Sequence, residues 1–249
     1  MLVKYFKWDK VAALYEDHET LSLAFNDINK DFSAHDIIIK SSTSFKDVKV
    51  EVPGKLKEMM DLDVRILLAG FRESTARQVF CQAYRLGMYG PRYVWILVGL
   101  LKSYWWTEVL DTACTVQEIG TAVEGAFIIF SLNGLLDGGK SVANLTSSEF
   151  RDAYINANGS LPLSIFAAST YDTIWTMALT LRQATSEWSE NGTAPLLHQL
   201  SYDVMADVKE TFITTMENLE FPGVSGPVSF KGSGREGITA VYQIQGTSF

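Results

Sequence analysis

The first half of the chain alternates short apolar runs with amphipathic stretches, and this alternation restricts the possible folds more than any other feature. Runs rich in Val, Ile, Leu and Ala are typical of buried strands, whereas the stretches between them have the 3.6-residue period of helices. The apolar runs predict strands at residues 11–15, 36–40, 64–69, 93–98 and 126–130.

The amphipathic stretches predict the helices that separate these strands. Helices are expected at residues 18–30 and 55–60, and from Ser74, taken as an N-cap, to Gly87 or Gly90. Another helix is expected after the capping-box pattern of residues 115–118. A βαβαβαβ order implies a parallel sheet with helices on both faces, which is the α/β class.

The second half of the chain has a different character. Residues 131–144 are rich in Gly, Ser and Asn and are expected to form a linker or crossover. Beyond them the patterns predict three helices, at residues 146–156, 171–184 and 201–217, and a closing hairpin at residues 228–244. The first of these helices is expected to begin with a second capping-box pattern, at residues 146–149. The change indicates two parts of unlike composition.

Composition narrows the class of protein. The 249 residues give room for one large or two modest domains, and 47% hydrophobic with 20% charged residues is typical of a globular chain. A net charge of −8 argues against nucleic acid or an anionic membrane as the main partner. No stretch approaches the roughly 20 apolar residues of a membrane helix, and the opening residues lack a signal-peptide pattern.

Three N-glycosylation sequons nevertheless indicate a secretory route. They begin at Asn144, Asn158 and Asn191, all in polar, turn-prone segments. An extracellular pattern without a signal peptide leads us to expect an incomplete chain. The two cysteines, Cys81 and Cys114, are either unrelated buried thiols or one disulfide that closes a loop of about 34 residues.

The patterns of catalysis and of cofactor binding are weak. Residues 232–237 match GxGxxG, but their flanks are typical of strands, so we interpret them as a turn. The three histidines are far apart, so we expect no metal and no cofactor. Glu16 and Asp17 are interpreted as part of a solvated helix face. An α/β enzyme would need a convergent polar site at the strand ends, where Arg72, Glu73 and Lys102 are expected, so no enzyme is predicted.

Several short strings keep their order along the chain. They are VFCQAY at 79–84, YVW at 93–95, WW at 105–106, CTV at 114–116, AVEG at 122–125, YDTIW at 171–175 and FPGVSGPVSF at 221–230. From about residue 6 to 244, the chain resembles the extracellular ligand-binding module of type B GABA receptors, which are class C G-protein-coupled receptors.

This resemblance implies a fold and a division into domains. The family's module is a two-lobed clamshell similar to the type I periplasmic binding proteins. Residues 1–128 would form lobe two, residues 129–218 a partial and mainly helical lobe one, and residues 219–249 the return into lobe two. One lobe is then nearly complete. The resemblance also implies a Cys81–Cys114 disulfide and glycosylation around Asn144.

The resemblance also marks three ligand-facing positions, Arg72, Leu100 and Phe166. The family's agonist-binding subunit has a Tyr, a Trp and a Glu at these positions, and the Glu holds the agonist amine. An ammonium ion needs a carboxylate or an aromatic face, so Phe166 offers at most the latter, whereas Arg72 favours an anion. Phe166 is closer to the coupling subunit of the family, which does not bind GABA.

The implied function is that of a receptor fragment. As part of a full-length receptor at the extracellular face of the plasma membrane, it would signal by clamshell closure and dimer rearrangement. A homologous subunit would be its heterodimer partner. Its ligand would be an amino-acid-like or unknown small molecule. The G protein would be a partner only through the transmembrane part of the receptor. The alternative is a stand-alone solute-binding protein of extracellular or periplasmic type.

Overall fold

The fold was analysed in a computed structural model. It describes residues 2–99, 101–102, 104–131, 134, 138–158, 164, 166–190, 206–232 and 234–246. The chain divides into two compact units, of which unit 1 comprises residues 1–130 with 240–249 and unit 2 comprises residues 131–239.

A six-stranded sheet forms the centre of unit 1. Its strands are β1 (Lys10–Glu16), β2 (Ile38–Phe45), β3 (Ile66–Gly70), β4 (Val94–Val98), β5 (Phe127–Ser131) and β9 (Thr239–Gln243), in the spatial order β2-β1-β3-β4-β5-β9. The pairs β1–β2, β1–β3, β3–β4 and β4–β5 are all parallel. The predicted parallel sheet is therefore confirmed, with its last strand supplied by the distant end of the chain.

Helices cover both faces of this sheet. They are α1 (Leu2–Tyr5), α2 (Glu19–Ser33), α3 (Val48–Asp61), α4 (Glu73–Leu86) and α5 (Val116–Val123). Because successive strand residues point to opposite faces, Ala12 and Leu14 of β1 join the core with α3, α4 and α5, whereas Val11 and Ala13 join the core with α2. This arrangement confirms the α/β class with helices on both faces, as in periplasmic-binding-protein-like folds.

Unit 2 combines helices with a small antiparallel sheet. The helices are α6 (Ser147–Asn158), α7 (Ala167–Glu190) and α8 (Ala206–Glu217), and the strands are β6 (Phe221–Gly223), β7 (Gly226–Lys231) and β8 (Gly234–Glu236). β6 pairs with β7, and β7 with β8. One apolar cluster contains Phe221 and Val228 of this sheet together with Trp175 of α7.

Two predicted helix starts are wrong. α3 begins at Val48 rather than near residue 55, because the Asp47 side chain accepts hydrogen bonds from the Lys49 and Val50 amides, and the helix continues through Pro53. α4 begins at Glu73 with Arg72 as its extended N-cap residue, so Ser74 lies inside the first turn.

The closing segment also differs from the expected single hairpin. β7 and β8 form a hairpin, but β9 leaves it and joins the six-stranded sheet. Residues 219–239 belong to unit 2 by their contacts, whereas we expected the whole of 219–249 to lie with the first part of the chain. The physical reason is apolar burial, since Leu219 and Phe221 pack with Trp175.

Candidate functional site

The carboxyl ends of the parallel strands in unit 1 form the candidate site, because ligands of open α/β sheets bind at this edge. Glu16 is the last residue of β1, and Arg72 lies two residues beyond the end of β3. These two strands are neighbours, with Tyr15 opposite Gly70, so the sheet register brings the two side chains together.

Glu16 and Arg72 form a multiply bonded ion pair. The Arg72 backbone amide donates to Glu16 Oε2 at 3.3 Å, and Arg72 Nε donates to Oε1 at 3.0 Å, while Nη2 also contacts Oε1. The Glu16 side chain is only 9% exposed, whereas that of Arg72 is 72% exposed. Glu16 therefore lies at the carboxyl end of β1 and not on a solvated helix face, which corrects our interpretation.

The environment keeps both members of the pair charged. Burial acts to raise the pKa of the Glu16 carboxyl, but hydrogen bonds and charge from Arg72, with a hydrogen bond from Thr75, lower it below its ordinary value. The hydrogen bond to Glu16 raises the pKa of Arg72. The guanidinium that was expected to attract an anion is thus already paired with a carboxylate.

Other charges at this edge are paired as well. Lys46 Nζ lies 3.5 Å from Asp17 Oδ2, and Lys102 Nζ lies 3.6 Å from Glu73 Oε2. The Lys102 amide also donates to Glu73 Oε1 at 2.7 Å. Each carboxylate here faces a cation rather than a nucleophile, so these residues do not form an acid–base–nucleophile arrangement.

Of the other two predicted ligand-facing positions, the structure describes only Phe166. Leu100 lies outside the described residues. Phe166 belongs to unit 2, just before α7, and is 61% exposed. Arg72 and Phe166 thus lie in different units.

A buried carboxylate in unit 2 was not predicted as functional. Asp172 of α7 is 1% exposed and accepts hydrogen bonds from the Val224 and Ser225 amides at 2.9 and 2.8 Å, and from the Ser225 hydroxyl. Arg235 donates to Ser225 Oγ at 2.8 Å. This network ties the β6–β7 turn to α7. The YDTIW string, which contains this aspartate, was the available signal, and its Ile174 is 63% exposed.

The cysteines form a disulfide that fastens a loop to α4. Cys81 and Cys114 are bonded, and both are buried. Beside them, Arg77 is 6% exposed and donates to both Asp111 oxygens and, at 3.0 Å, to the Trp105 carbonyl. The hydrogen bond to Asp111 raises the pKa of Arg77. A covalent link and an ion pair therefore hold residues 105–114 against one helix.

The structure describes the side chain of one of the three sequon asparagines. Asn144 is exposed and lies in a tight turn with φ of 59°, where its backbone N–H donates to the Ser141 carbonyl. Asn158 ends α6, but its side chain and the rest of its sequon lie outside the described residues, as does Asn191.

Two features are absent from the residues that the structure describes. These residues contain no group of three His, Cys, Asp or Glu side chains placed to hold a metal ion. Among the same residues, no helix combines the length and the apolar character needed to cross a membrane.

Comparison with known proteins identifies the family. Residues 1–247 match the family described as "Receptor family ligand binding region". The chain belongs to this family. The expected relationship to the ligand-binding domain of class C receptors is thereby confirmed, since relatives named as GABA type B receptor subunits match along nearly its whole length.

Three curated relatives show how similar this chain is to other proteins. Human "Gamma-aminobutyric acid type B receptor subunit 2" is 28% identical over 98% of the chain, and the mouse subunit 1 is 31% identical over 97%. "Glutamate receptor 2.2" of Arabidopsis thaliana is 23% identical over 92%. The chain spans about a quarter of the length of these relatives, namely 26%, 25% and 24%.

Proposed function

We propose that this chain is part of the ligand-binding ectodomain of a GABA-B-like receptor subunit at the extracellular face of the plasma membrane. The observation that carries the proposal is the family match over residues 1–247. Ligand binding would bias an equilibrium between open and closed arrangements of the two lobes, and a homologous subunit would be the dimer partner. The G protein would be reached through the transmembrane part of the full-length receptor.

The lobe assignment belongs to the same proposal. Residues 1–128 with the last strand would form lobe two, and the helical part from residue 129 would contribute to lobe one. In support, the chain leaves unit 1 after Phe130 and returns to it at Ala240. Sugars on Asn144, Asn158 and Asn191 would accompany the extracellular location. The proposal includes no enzymatic activity, in line with relatives that are named as receptors.

The subunit type is proposed from the ligand-facing residues. The amine of an alkylammonium ligand such as GABA is held most strongly by an accessible carboxylate, and an aromatic face is the weaker alternative. Phe166 carries no charge, and the Glu16 carboxylate is already bonded to Arg72. We therefore infer that this subunit is a coupling subunit or takes a ligand other than GABA. Arg72, Leu100 and Phe166 remain the proposed ligand-facing positions.

To test the subunit type, the secreted chain is titrated with GABA, and binding is measured by calorimetry and by NMR. We expect no saturable binding at millimolar GABA, because Phe166 offers the amine no carboxylate and the Glu16 carboxylate is bonded to Arg72. In a second arm, the chain is mixed with the ectodomain of the human subunit 2 or the mouse subunit 1, and sedimentation velocity should detect a complex with one of them.

Two results would contradict this proposal. Saturable GABA binding that Phe166→Ala abolishes would overturn the assignment as a coupling or non-GABA subunit. A folded chain that forms no complex with either ectodomain, yet binds another small solute tightly, would favour the alternative of a stand-alone solute-binding protein.

A further inference from the structure

The last strand of the six-stranded sheet forms an open edge. β9 stands at one end of the strand order and β2 at the other, so among the described residues β9 has a strand neighbour on one side only, which is β5. Its side chains are largely exposed, with 43% for Val241 and 57% for Tyr242. An edge strand whose outer side is uncovered can pair with a strand of another molecule.

The backbone of β9 presents hydrogen-bonding groups to this open side. Ile244, directly after the strand, donates to the Ala126 carbonyl and accepts from the Gly125 backbone N–H, both at 2.8 Å, so its backbone groups point towards β5. Successive residues of a strand direct their backbone groups to alternate sides. The residues whose groups point outward are therefore Thr239, Val241 and Gln243.

The two edges of the sheet differ in charge. β2 has the sequence IIKSSTSF, with an exposed Lys40 in the strand and an exposed Lys46 directly after it. Lysines of this kind oppose pairing of an edge with another strand. β9 has the sequence TAVYQ, which contains no charged residue, no glycine and no proline. The edge at β9 therefore lacks the features by which proteins usually prevent pairing.

The sequence of β9 is complementary to itself in antiparallel pairing. A twofold axis at Val241 places this residue opposite its counterpart and Thr239 opposite Gln243 of the second copy, so the outward backbone groups of the two strands bond each other. On the other face, Tyr242 lies opposite Ala240 of the second copy, which places a ring against a methyl group. No like charges meet in any of these pairs.

The side chains of β9 are held in place before any pairing. The Tyr242 ring stacks on that of Phe130 in β5, with ring centroids 4.6 Å apart and an interplanar angle of 20°. Gln243 Nε2 donates to the Gly125 carbonyl at 3.2 Å. Side chains that are already ordered lose less entropy on association, which favours binding by a preformed strand.

We propose that two copies of this chain associate through β9, as an antiparallel strand pair that joins their sheets across a twofold axis. The contact involves five residues of β9 from each copy, so the interface is small and the dimer exchanges with the monomer. Pairing of β9 with itself closes on a dimer, whereas pairing of β9 with β2 would continue into a filament. The inference does not depend on the proposed receptor function.

Sedimentation velocity of the full chain over a concentration series tests the association. We expect a monomer at about 1 µM and a dimer at about 200 µM, which is the weak affinity of a small interface. Val241→Lys should weaken the dimer by more than about tenfold, since it places two ammonium groups opposite each other. Ile38→Lys is the matched control, because it adds the same charge at an exposed residue of the opposite edge and should leave the dimer unchanged. Circular dichroism shows that each variant is folded.

Single cysteine variants test the register of the pair. The two native cysteines are bonded to each other, so an introduced cysteine supplies one free thiol per chain. Val241→Cys should form a covalent dimer on mild oxidation, because the Cα atoms of a directly opposite bonded pair are about 5.5 Å apart. Thr239→Cys should not, because its counterpart lies four residues further along the strand, at about 14 Å.

Three results would overturn the proposal. The first is a chain that remains a monomer at about 200 µM. The second is equal association of the Val241→Lys and Ile38→Lys variants, which would place the contact elsewhere. The third is equal cross-linking of the two cysteine variants, which would exclude the register centred on Val241.

Discussion

At the scale of single residues, Asp172 determines which residue is tolerated at the β6–β7 turn. Its two carboxylate oxygens bond the Val224 and Ser225 amides, so the turn backbone lies directly against the carboxylate. A Cβ atom added at Gly223 would lie 2.2 Å from Asp172 Oδ2, which is far inside van der Waals contact. The glycine at this position is therefore required by close packing around a buried carboxylate.

Gly223→Ala should consequently destabilise unit 2. Either the turn moves or the Asp172 hydrogen bonds stretch, and overpacking of this kind costs about 1–3 kcal/mol. Urea denaturation and hydrogen exchange of the Val224 and Ser225 amides measure the effect. Gly54→Ala is the matched control, because a Cβ there meets nothing within 4 Å, and alanine in a helix should be neutral or slightly stabilising. Equal stability of the two variants would contradict this explanation.

At the scale of elements, two capping boxes begin helices in different units. Thr115 Oγ1 accepts from the Glu118 amide, and Glu118 accepts from the Thr115 amide at 2.8 Å. Thr146 and Glu149 repeat these bonds at the start of α6. In both boxes these hydrogen bonds lower the pKa of the glutamate. Local side-chain bonding therefore fixes where each helix begins.

Thr115→Ala should destabilise unit 1 by about 1 kcal/mol near neutral pH, which is typical for loss of an N-cap hydroxyl. Because the pKa of Glu118 is lowered in the folded state, the contribution of its carboxylate is complete above the ordinary pKa of 4.5 and is lost as pH falls through the lowered value. The difference from wild type should therefore shrink in acid. Thermal melts from pH 3 to 7 measure it.

Thr121→Ala is the control for this prediction. Thr121 lies on the same helix, and its hydroxyl donates back to the Gln117 carbonyl, so its removal should have little effect at any pH. If both variants melt alike at neutral pH, the capping box does not stabilise the helix.

The helix starts and one ion pair show which features sequence patterns can predict. Both capping boxes were predicted because their bonds span only three residues. The start of α3 was missed because Pro53 and Gly54 resemble a break, although the Asp47 cap and the burial of Val52 and Leu56 together stabilise the helix across them. The Glu16–Arg72 pair was missed for a different reason: the residues are 56 positions apart and meet only through the register of β1 and β3.

At the scale of the whole molecule, one disulfide joins segments that are 33 residues apart. It fastens residues 105–114 to α4 with the help of the Arg77–Asp111 pair. Closing a loop of this length stabilises the folded state by about 3–4 kcal/mol in the chain-entropy estimate. This link lies wholly within unit 1, so its effect should be confined there.

The double variant Cys81→Ser/Cys114→Ser tests that expectation. Amide exchange in α4 and α5 should become faster by orders of magnitude, because unit 1 loses the loop constraint. Exchange in α7 should remain unchanged, since it belongs to unit 2 and serves as the internal control. Equal acceleration in both units would show that the chain unfolds as a single cooperative body.

The return of the chain to unit 1 at β9 has a consequence for biosynthesis. The sheet is complete only when β9 pairs beside β5, yet all of residues 132–238 are synthesised between these two strands. At typical translation rates this interval is on the order of ten seconds. During that time the nascent β5 presents unpaired backbone groups, which makes it an attachment point for chaperones and for neighbouring nascent chains.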